Sequence, residues 1–422
     1  MDERKRIIVI GGGFAGLQFI KNIDSDVYDV LLIDKLNHHQ FQPLFYQVAT
    51  SQLEPASISF PFRKIFQKKE NLKIRMADVE SINSGKNCVE TTIGTFSYDY
   101  LVIATGCKTN FFNNQNIEQN AFTLKSTFDS ISIRNHVLLL FEEYISSKES
   151  EREAILNIVI AGAGPTGVEM SGAFAEIKKN ILPKDYPGID FSKLKITLVE
   201  GSAHTLNSMS DKAKSASRKY LIDLGIELKT GITVLDYENN LVKLSDGSEI
   251  KARTLIWAAG VTGNLIDGLN HETVMRGNRL KVNQLNLIDT YTNIYALGDI
   301  AYMPTAKYPN AHPQLANVAI NQAKNLAKNF NRKIKSKELI EFEYKDLGSM
   351  ATIGKHKAVV DLPRFKFKGF FAWYIWMFLH LMLILSTKNK LIIFINWAWA
   401  YVTKDTSLRL ILNNPKKAKK VS

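Results

Sequence analysis

Two short glycine patterns limit what this chain can fold into. Arg6-Ile-Ile-Val-Ile10, an apolar run of strand length, leads straight into Gly11-Gly-Gly13-Phe-Ala-Gly16 and then into residues able to continue as a helix. The same order returns at Asn157–Ala161, followed by Gly162-Ala-Gly164-Pro-Thr-Gly167. In a strand, turn and helix of this spacing the first glycine turns the chain, the second lets backbone approach a pyrophosphate, and the third packs helix on strand; the free amides of the helix start then face the phosphates. Each pattern is completed by an apolar strand that ends in an acid. Val30–Ile33 ends in Asp34, 18 residues past Gly16, and Ile196–Val199 ends in Glu200, 33 residues past Gly167. A carboxylate there accepts hydrogen bonds from ribose hydroxyls. The second spacing exceeds the usual value of about 20, and Asn180–Lys193, with Pro183, Pro187 and Gly188, reads as an inserted loop. Two dinucleotide sites are implied. An acid at the second favours a free 2′-hydroxyl over a 2′-phosphate, hence NADH over NADPH.

Further segments repeat between the halves. Tyr100-Leu-Val-Ile-Ala-Thr105-Gly106 and Leu255-Ile-Trp-Ala-Ala-Gly260 are buried strands ending in small residues, at matching distances after their glycine motifs. Asn293–Asp299 is another strand, ending in Gly298-Asp299, where an aspartate can accept hydrogen bonds from ribityl or ribose hydroxyls. A chain of 422 residues carrying such units divides into two or three packed parts. Its 45% hydrophobic and 23% charged residues exclude a disordered or collagenous chain. Cys88 and Cys107 form no CxxC pair, which argues against a disulfide scaffold, a zinc site and a dithiol centre, and predicts a reducing compartment. Asp2–Arg6 before a short apolar run does not read as a secretory signal.

With these residues in hand, the chain resembles the type II NADH:quinone oxidoreductases, a branch of the two-dinucleotide flavoproteins. The resemblance runs from Ile7 to about Leu412. Its more specific parts are Phe41-Gln-Pro-Leu-Phe-Tyr-Gln-Val-Ala-Thr50, the paired glycine motifs, Ala296-Leu-Gly-Asp299, Leu347–Gly354 and Ile395-Asn-Trp-Ala-Trp-Ala-Tyr401. It implies an α/β fold with two Rossmann-type dinucleotide-binding domains, the NADH domain inserted in the FAD domain, plus a C-terminal membrane-associating region. The expected ranges are 1–110 and 270–345 for FAD, 111–269 for NADH and 346–422 for the membrane region. FAD falls to Gly11, Gly13, Gly16, Asp34, Thr105, Gly106, Gly298 and Asp299, and NADH to Gly162, Gly164, Gly167 and Glu200. The implied activity is hydride transfer from NADH to FAD and two-electron reduction of a membrane quinone, without proton pumping. Soluble reduction of a protein acceptor, sulfide:quinone oxidoreduction and an NADH-sensing interaction module are the alternatives; the second lacks an obvious cysteine pair.

The family's quinone motif, Ala-Gln-x-Ala-x-Gln, stands here as Ala316-Asn-Val-Ala-Ile-Asn321. Asn317 and Asn321 share one face of a helix expected over 314–330, each one methylene shorter than glutamine. The resemblance places Glu169 near the nicotinamide and flavin rings, as the catalytic candidate. By position Glu169 is expected in the first turn of its helix, where the dipole favours its charged form. His38 and His39 read as structural, and no metal site is expected.

The charge balance, 54 lysines and arginines against 41 acids and +13 net, calls for an anionic partner. Residues 386–422 hold seven lysines and one arginine against Asp405 alone. That excess adjoins the aromatic run Gly369–Leu385, which points to a lipid bilayer surface and away from nucleic acid. Trp373, Tyr374 and Trp376 in the middle of the run favour a helix in the interface plane over a spanning one. The expected location is peripheral, on the cytoplasmic face of the cell membrane, with a homodimer as a further candidate assembly.

Overall fold

A computed structural model of the chain describes residues 4–406 and 408–412. In chain order, the elements that position the sites begin with β1 (Lys5–Ile10), α1 (Phe14–Asn22), β2 (Tyr28–Asp34), α2 (Phe45–Ala49), β3 (Leu72–Met76), β4 (Tyr100–Ile103), α3 (Thr127–Tyr144), β5 (Asn157–Ala161) and α4 (Pro165–Asn180). They continue with β6 (Lys195–Glu200), β7 (Glu227–Thr230), β8 (Thr254–Trp257), β9 (Ile294–Ala296), α5 (Ala316–Lys333), β10 (Ser349–Thr352), β11 (Ala358–Asp361), β12 (Lys366–Lys368), α6 (Phe370–Leu383) and α7 (Thr387–Thr403). The chain divides into two units. One contains residues up to Gln40, Phe60–Lys108 and Val261–Asp346; the other contains Phe41–Ser59, Thr109–Gly260 and the chain from Leu347 onward.

The first unit is built on a five-stranded sheet in the order β9-β4-β1-β2-β3. Every pairing is parallel, with Ile7 opposite both Val30 and Tyr100 and Ile10 opposite both Ile33 and Ile103. Ile7, Ile8 and Val9 are fully buried, as expected of a β-branched strand covered on both faces. Helix α1 packs on α5, where Phe19 meets Phe330 edge to face at 5.6 Å. Chain order reverses at β1, so the glycine turn after β1 opens at the switch point where such sheets bind ligands.

The second unit repeats the plan with β7-β6-β5-β8, again all parallel, Ile158 lying opposite Ile196 and Thr254. Pro165 sits at the helix start, where its missing N–H costs nothing. Residues 180–193 are less of a loop than their prolines and glycine suggest: α4 runs on to Asn180, and short helical turns follow at Leu182–Asp185 and Phe191–Lys193. Much of the wide spacing before Glu200 is therefore helix. The same unit carries the antiparallel β10-β11-β12 sheet and the two C-terminal helices.

The run expected over Gly369–Leu385 forms a helix of 14 residues that stops where Ile384 turns extended, and α7 adds 17. Among the described residues no helix is long and apolar enough to cross a membrane. Trp376 is buried, whereas Phe371, Phe378, Trp399 and Val402 are 61–78% exposed. Lys416, Lys417, Lys419 and Lys420, counted in the charge excess, lie outside the described residues.

Candidate active site

The first glycine turn is sterically tight. Gly11 has φ +96°, and a Cβ on Gly16 would lie 1.9 Å from the Gly11 carbonyl oxygen, so both positions admit only glycine. Gly13 has open space where a side chain would go, leaving its backbone accessible. Asp34 closes the turn by accepting from Gly12 N at 2.6 Å and Leu36 N at 2.7 Å. Burial pushes its pKa up, opposed by those two bonds. His39 packs beneath, Nδ1 3.0 Å from the Gly12 carbonyl, and burial pulls its pKa down to about 4, which leaves it neutral.

The same unit gathers the other expected flavin residues. Thr105 Oγ1 is buried with no hydrogen-bond partner among the described residues, Gly106 has φ +69°, and Cys107 Sγ donates to Asp299 Oδ2 at 3.1 Å. Gly298 N donates to Gln322 Oε1 at 2.8 Å. Gln322, not singled out by the sequence reading, thus anchors the turn that carries Asp299. Asn317 and Asn321 lie on α5, which starts at Ala316 and not at 314. Asn321 Nδ2 donates to the side chain and backbone of Asn317, and Asn317 Nδ2 is buried without a partner among the described residues.

The second turn, at Gly162, Gly164 and Gly167, has the same geometry. Gly162 has φ +98°, Gly164 is open, and a Cβ on Gly167 would lie 1.9 Å from the Gly162 carbonyl. Glu200 accepts from Ala163 N at 2.6 Å and Ser202 N at 2.8 Å.

Glu169 departs from its expected state. It lies in the second turn of α4, beyond the reach of the terminal dipole. It is buried beneath β10 and α6, and burial pushes its carboxyl up to about 8. Thr352 N donates to Oε1 at 3.3 Å, and the Trp376 indole N–H faces the carboxyl too loosely for a hydrogen bond; both only temper the shift. With no helix-end dipole to favour the charged form, desolvation dominates, so at neutral pH the carboxyl holds its proton.

Glu169 lines a cavity of about 120 Å³ within this unit, with Tyr46 and Gln47 from α2, Thr352 from β10, Trp376 from α6 and Trp397 from α7. A chain of hydrogen bonds runs along its wall: Trp397 Nε1 donates to Gln47 Oε1 at 2.8 Å, Gln47 Nε2 to Tyr46 Oη at 2.9 Å, and Tyr46 Oη meets Thr352 Oγ1 at 3.1 Å. His380 stacks on Trp376 at 4.0 Å, and burial draws its pKa down to about 4, so it adds no charge. The sequence reading assigned no role to Tyr46, Gln47, Thr352 or Trp397, although all lie in segments that carried the resemblance. The cavity is aromatic-walled and borders the protonated Glu169, with Glu176, Lys355, Lys404 and Asp405 also on its lining, so it offers a flat apolar molecule both an aromatic surface and a proton donor.

Comparison with known proteins agrees with this geometry. The family model described as pyridine nucleotide-disulphide oxidoreductase matches residues 5–323, and that described as the NDH2 C-terminal domain matches 347–404. The chain is 32% identical over 417 residues to the type II NADH:quinone oxidoreductase Ndh of Mycobacterium tuberculosis, covering 95% of this chain and 89% of that protein. It is 30% identical over 364 residues to the type II NADH:quinone oxidoreductase of Staphylococcus aureus, covering 85% and 89%. In fold it matches the structure of NDH2 from Plasmodium falciparum in complex with NADH, with a TM-score of 0.90 and 23% identity over 97% of this chain and 100% of that one. Two Rossmann-type units, a C-terminal region of matching kind and relatives aligned along nearly its whole length place this chain in the pyridine nucleotide-disulphide oxidoreductase family, among the type II NADH:quinone oxidoreductases.

Proposed function

We propose that the chain oxidises NADH and reduces a membrane quinone, using FAD, and moves no proton across the bilayer. The buried, protonated Glu169 at the wall of an aromatic cavity carries this reading. The overall reaction, NADH + H⁺ + quinone → NAD⁺ + quinol, consumes one proton per turnover. An acid held neutral at pH 7 is matched to that need.

The first turn fits FAD. Gly11, Gly13 and Gly16 leave backbone free for a pyrophosphate, Asp34 accepts from a ribose, and Asp299 with the orphan Thr105 hydroxyl and Gly106 meets the ribityl side. Gly162, Gly164, Gly167 and Glu200 do the same for NADH, with Glu200 repelling a 2′-phosphate. Bound flavin supplies the two-electron chemistry, hydride in from NADH and electrons out to quinone. Tyr46 and Thr352 orient the proton-holding end of the cavity, while Trp376 and Trp397 exclude water from it. Asn317, whose side-chain amide faces the Tyr344 hydroxyl too loosely for a full hydrogen bond, is the donor proposed for a quinone carbonyl, and Asn321 fixes its orientation.

The exposed aromatic and aliphatic faces of α6 and α7 suit these helices to lie in the bilayer interface, on the cytoplasmic side where NADH is made. A helix of 14 residues reaches about 21 Å, short of the ~30 Å apolar thickness. A reductase of soluble proteins has no use for that face. The test is NADH oxidation by purified, lipid-supplemented protein against several quinones, with the flavin identified by its spectrum. Quinone-dependent turnover is expected; turnover with a soluble protein acceptor but with no quinone would overturn the reading.

A further inference from the structure

In the reaction proposed above Glu169 gives up one proton per turnover, and it has to be refilled each time. It is only 8% exposed, and Trp376 and Trp397 close the cavity it lines to bulk water, so the proton needs a defined route from the surface. Helix α4 supplies the wall of one. Glu169, Ala173, Glu176 and Asn180 all line the same cavity, and their spacing puts them on a single stripe of the helix. The stripe starts at the buried acid and ends at Glu176 and Asn180, both only half-buried. Between the two acids it carries no more than the methyl group of Ala173, which leaves the space beside it open. Glu176 is held in place, its Oε1 accepting from Lys355 N at 3.1 Å and its Oε2 from Asn180 Nδ2 at 3.0 Å. The charged groups around it are Lys355 and His356, in the turn between β10 and β11, and Lys404 and Asp405, just past α7. Lys355 Nζ is spent on the carbonyls of Ala400 and Tyr401, and Asp405 on Arg409. On the neighbouring helix, Asp223 pairs with Lys357. Glu176 is thus the rim acid without an ion pair among the described residues.

We propose that Glu176 is the acid through which protons enter from solvent and pass, along a file of waters on the α4 wall, to Glu169. The inference rests on Glu169 as the proton donor to quinone. Glu176 touches no substrate and acts only through Glu169. Once Glu169 has given its proton away it is a carboxylate; the file hands it a proton, Glu176 refills the file, and bulk water refills Glu176. The sum is one proton taken up for each quinol formed, as the overall reaction demands. Seven residues of helix set the two acids about 10 Å apart along the axis, a gap that roughly two or three hydrogen-bonded waters bridge. The cavity of about 120 Å³ has room for them, since one water needs only about 10–15 Å³, and Gln47, Gln52 and Asn180 on its lining give them polar partners. Waters kept to the α4 wall leave the aromatic surface to the quinone.

The test uses the full-length, FAD-loaded protein with lipid, saturating NADH and a short-chain quinone, and follows kcat from about pH 6 to about pH 9. Glu176→Gln keeps the shape and removes the exchangeable proton. Its deficit should grow as pH rises and other proton donors become scarce, reaching roughly tenfold at the alkaline end, while flavin reduction by NADH in stopped-flow stays unchanged. Imidazole buffer, a small mobile acid, should restore the rate of the variant in a concentration-dependent way and leave the unmodified protein unaffected. Glu176→Asp, which keeps a carboxyl, should run close to the unmodified rate. If the amide variant does not hold flavin, Ala173→Leu decides instead: it fills the space between two intact acids and should reproduce the same pH-dependent deficit. An unchanged kcat, or a loss that is uniform across pH and indifferent to imidazole, would overturn the proposal. Glu169→Gln separates the two readings. If it slows quinone reduction while Glu176→Gln does not, only the entry route falls; if it has no effect, Glu169 as donor falls as well.

Discussion

The two glycine turns share a backbone and differ in what surrounds it. In both, the first glycine has φ near +97°, the third would clash at 1.9 Å if it bore a Cβ, and an acid accepts a 2.6 Å bond from the amide between the first two glycines. Around the middle residue of the first turn the space is filled. A Cβ on Gly12 would lie 2.2 Å from the ring of the fully buried Phe62, and Ala15 is buried at the helix start. Around the second, Ala163 carries a methyl without strain, and Pro165 and Thr166 are exposed. A closed turn suits a group that stays bound; an open one suits a group that comes and goes. The helices diverge as well. Two residues past the third glycine stands Gln18 in α1, partly exposed, and Glu169 in α4, buried and protonated.

The comparison breaks most visibly at the middle residue of the turn. Gly12→Ala should cost up to about 3 kcal/mol through overpacking and strip the flavin absorbance from the purified protein. Ala163→Gly should cost about 1 kcal/mol and keep flavin. Equal losses would remove the distinction between the closed turn and the open one.

Next in size is Glu169→Gln, which gives the second helix the residue type of the first. Quinone reduction should slow by roughly 100-fold while flavin reduction by NADH is unchanged, a split that stopped-flow reads directly. Stability carries a second signature. Between the ordinary value of 4.5 and about 8, the folded protein holds a proton that the unfolded chain has released, so stability falls as pH rises across that window. The amide should erase that slope in denaturant titrations; an unchanged slope would show that Glu169 ionises normally.

At the second turn, Glu200→Gln should reduce the preference for NADH over NADPH by about tenfold, or about 1.4 kcal/mol, in kcat/KM. Comparable kcat/KM for the two nucleotides in the unmodified protein would remove Glu200 from the ribose. The smallest effect belongs to Gln18→Glu. A carboxylate at that partly exposed position should titrate as an ordinary acid and change stability by no more than about 0.5 kcal/mol, which makes it the control for Glu169.

Much of this plan was readable along the chain because it is local. Strand, turn, helix and the acid at the next strand end lie close together, and hydrophobic runs mark their boundaries. Glu169 was legible as a candidate and misjudged in its ionisation, because the groups that bury it come from β10 and α6, some 180–210 residues later, and no local pattern reports desolvation. Tyr46, Gln47 and Trp397 stood in recognisable segments without roles, since their hydrogen-bond chain exists only once α2 and α7 meet. Arg134, buried within α3, gave no signal at all: a basic residue within a helix is ordinarily solvated, and its burial depends on packing against distant elements. The start of α5 was missed by two residues, Gln314 following Pro313 in extended chain before the helix begins at Ala316.

The exposed apolar faces of α6 and α7 also bear on kinetics. Under the proposed attachment to a membrane, such faces would bring the catalyst to a lipid-soluble quinone in two dimensions, so that rates would scale with molecules per unit of membrane area and not per litre. Adding lipid at fixed enzyme and quinone would dilute the reaction although the aqueous concentrations stay the same. Detachment would act as an off switch, separating the protein from one substrate while leaving it immersed in the other.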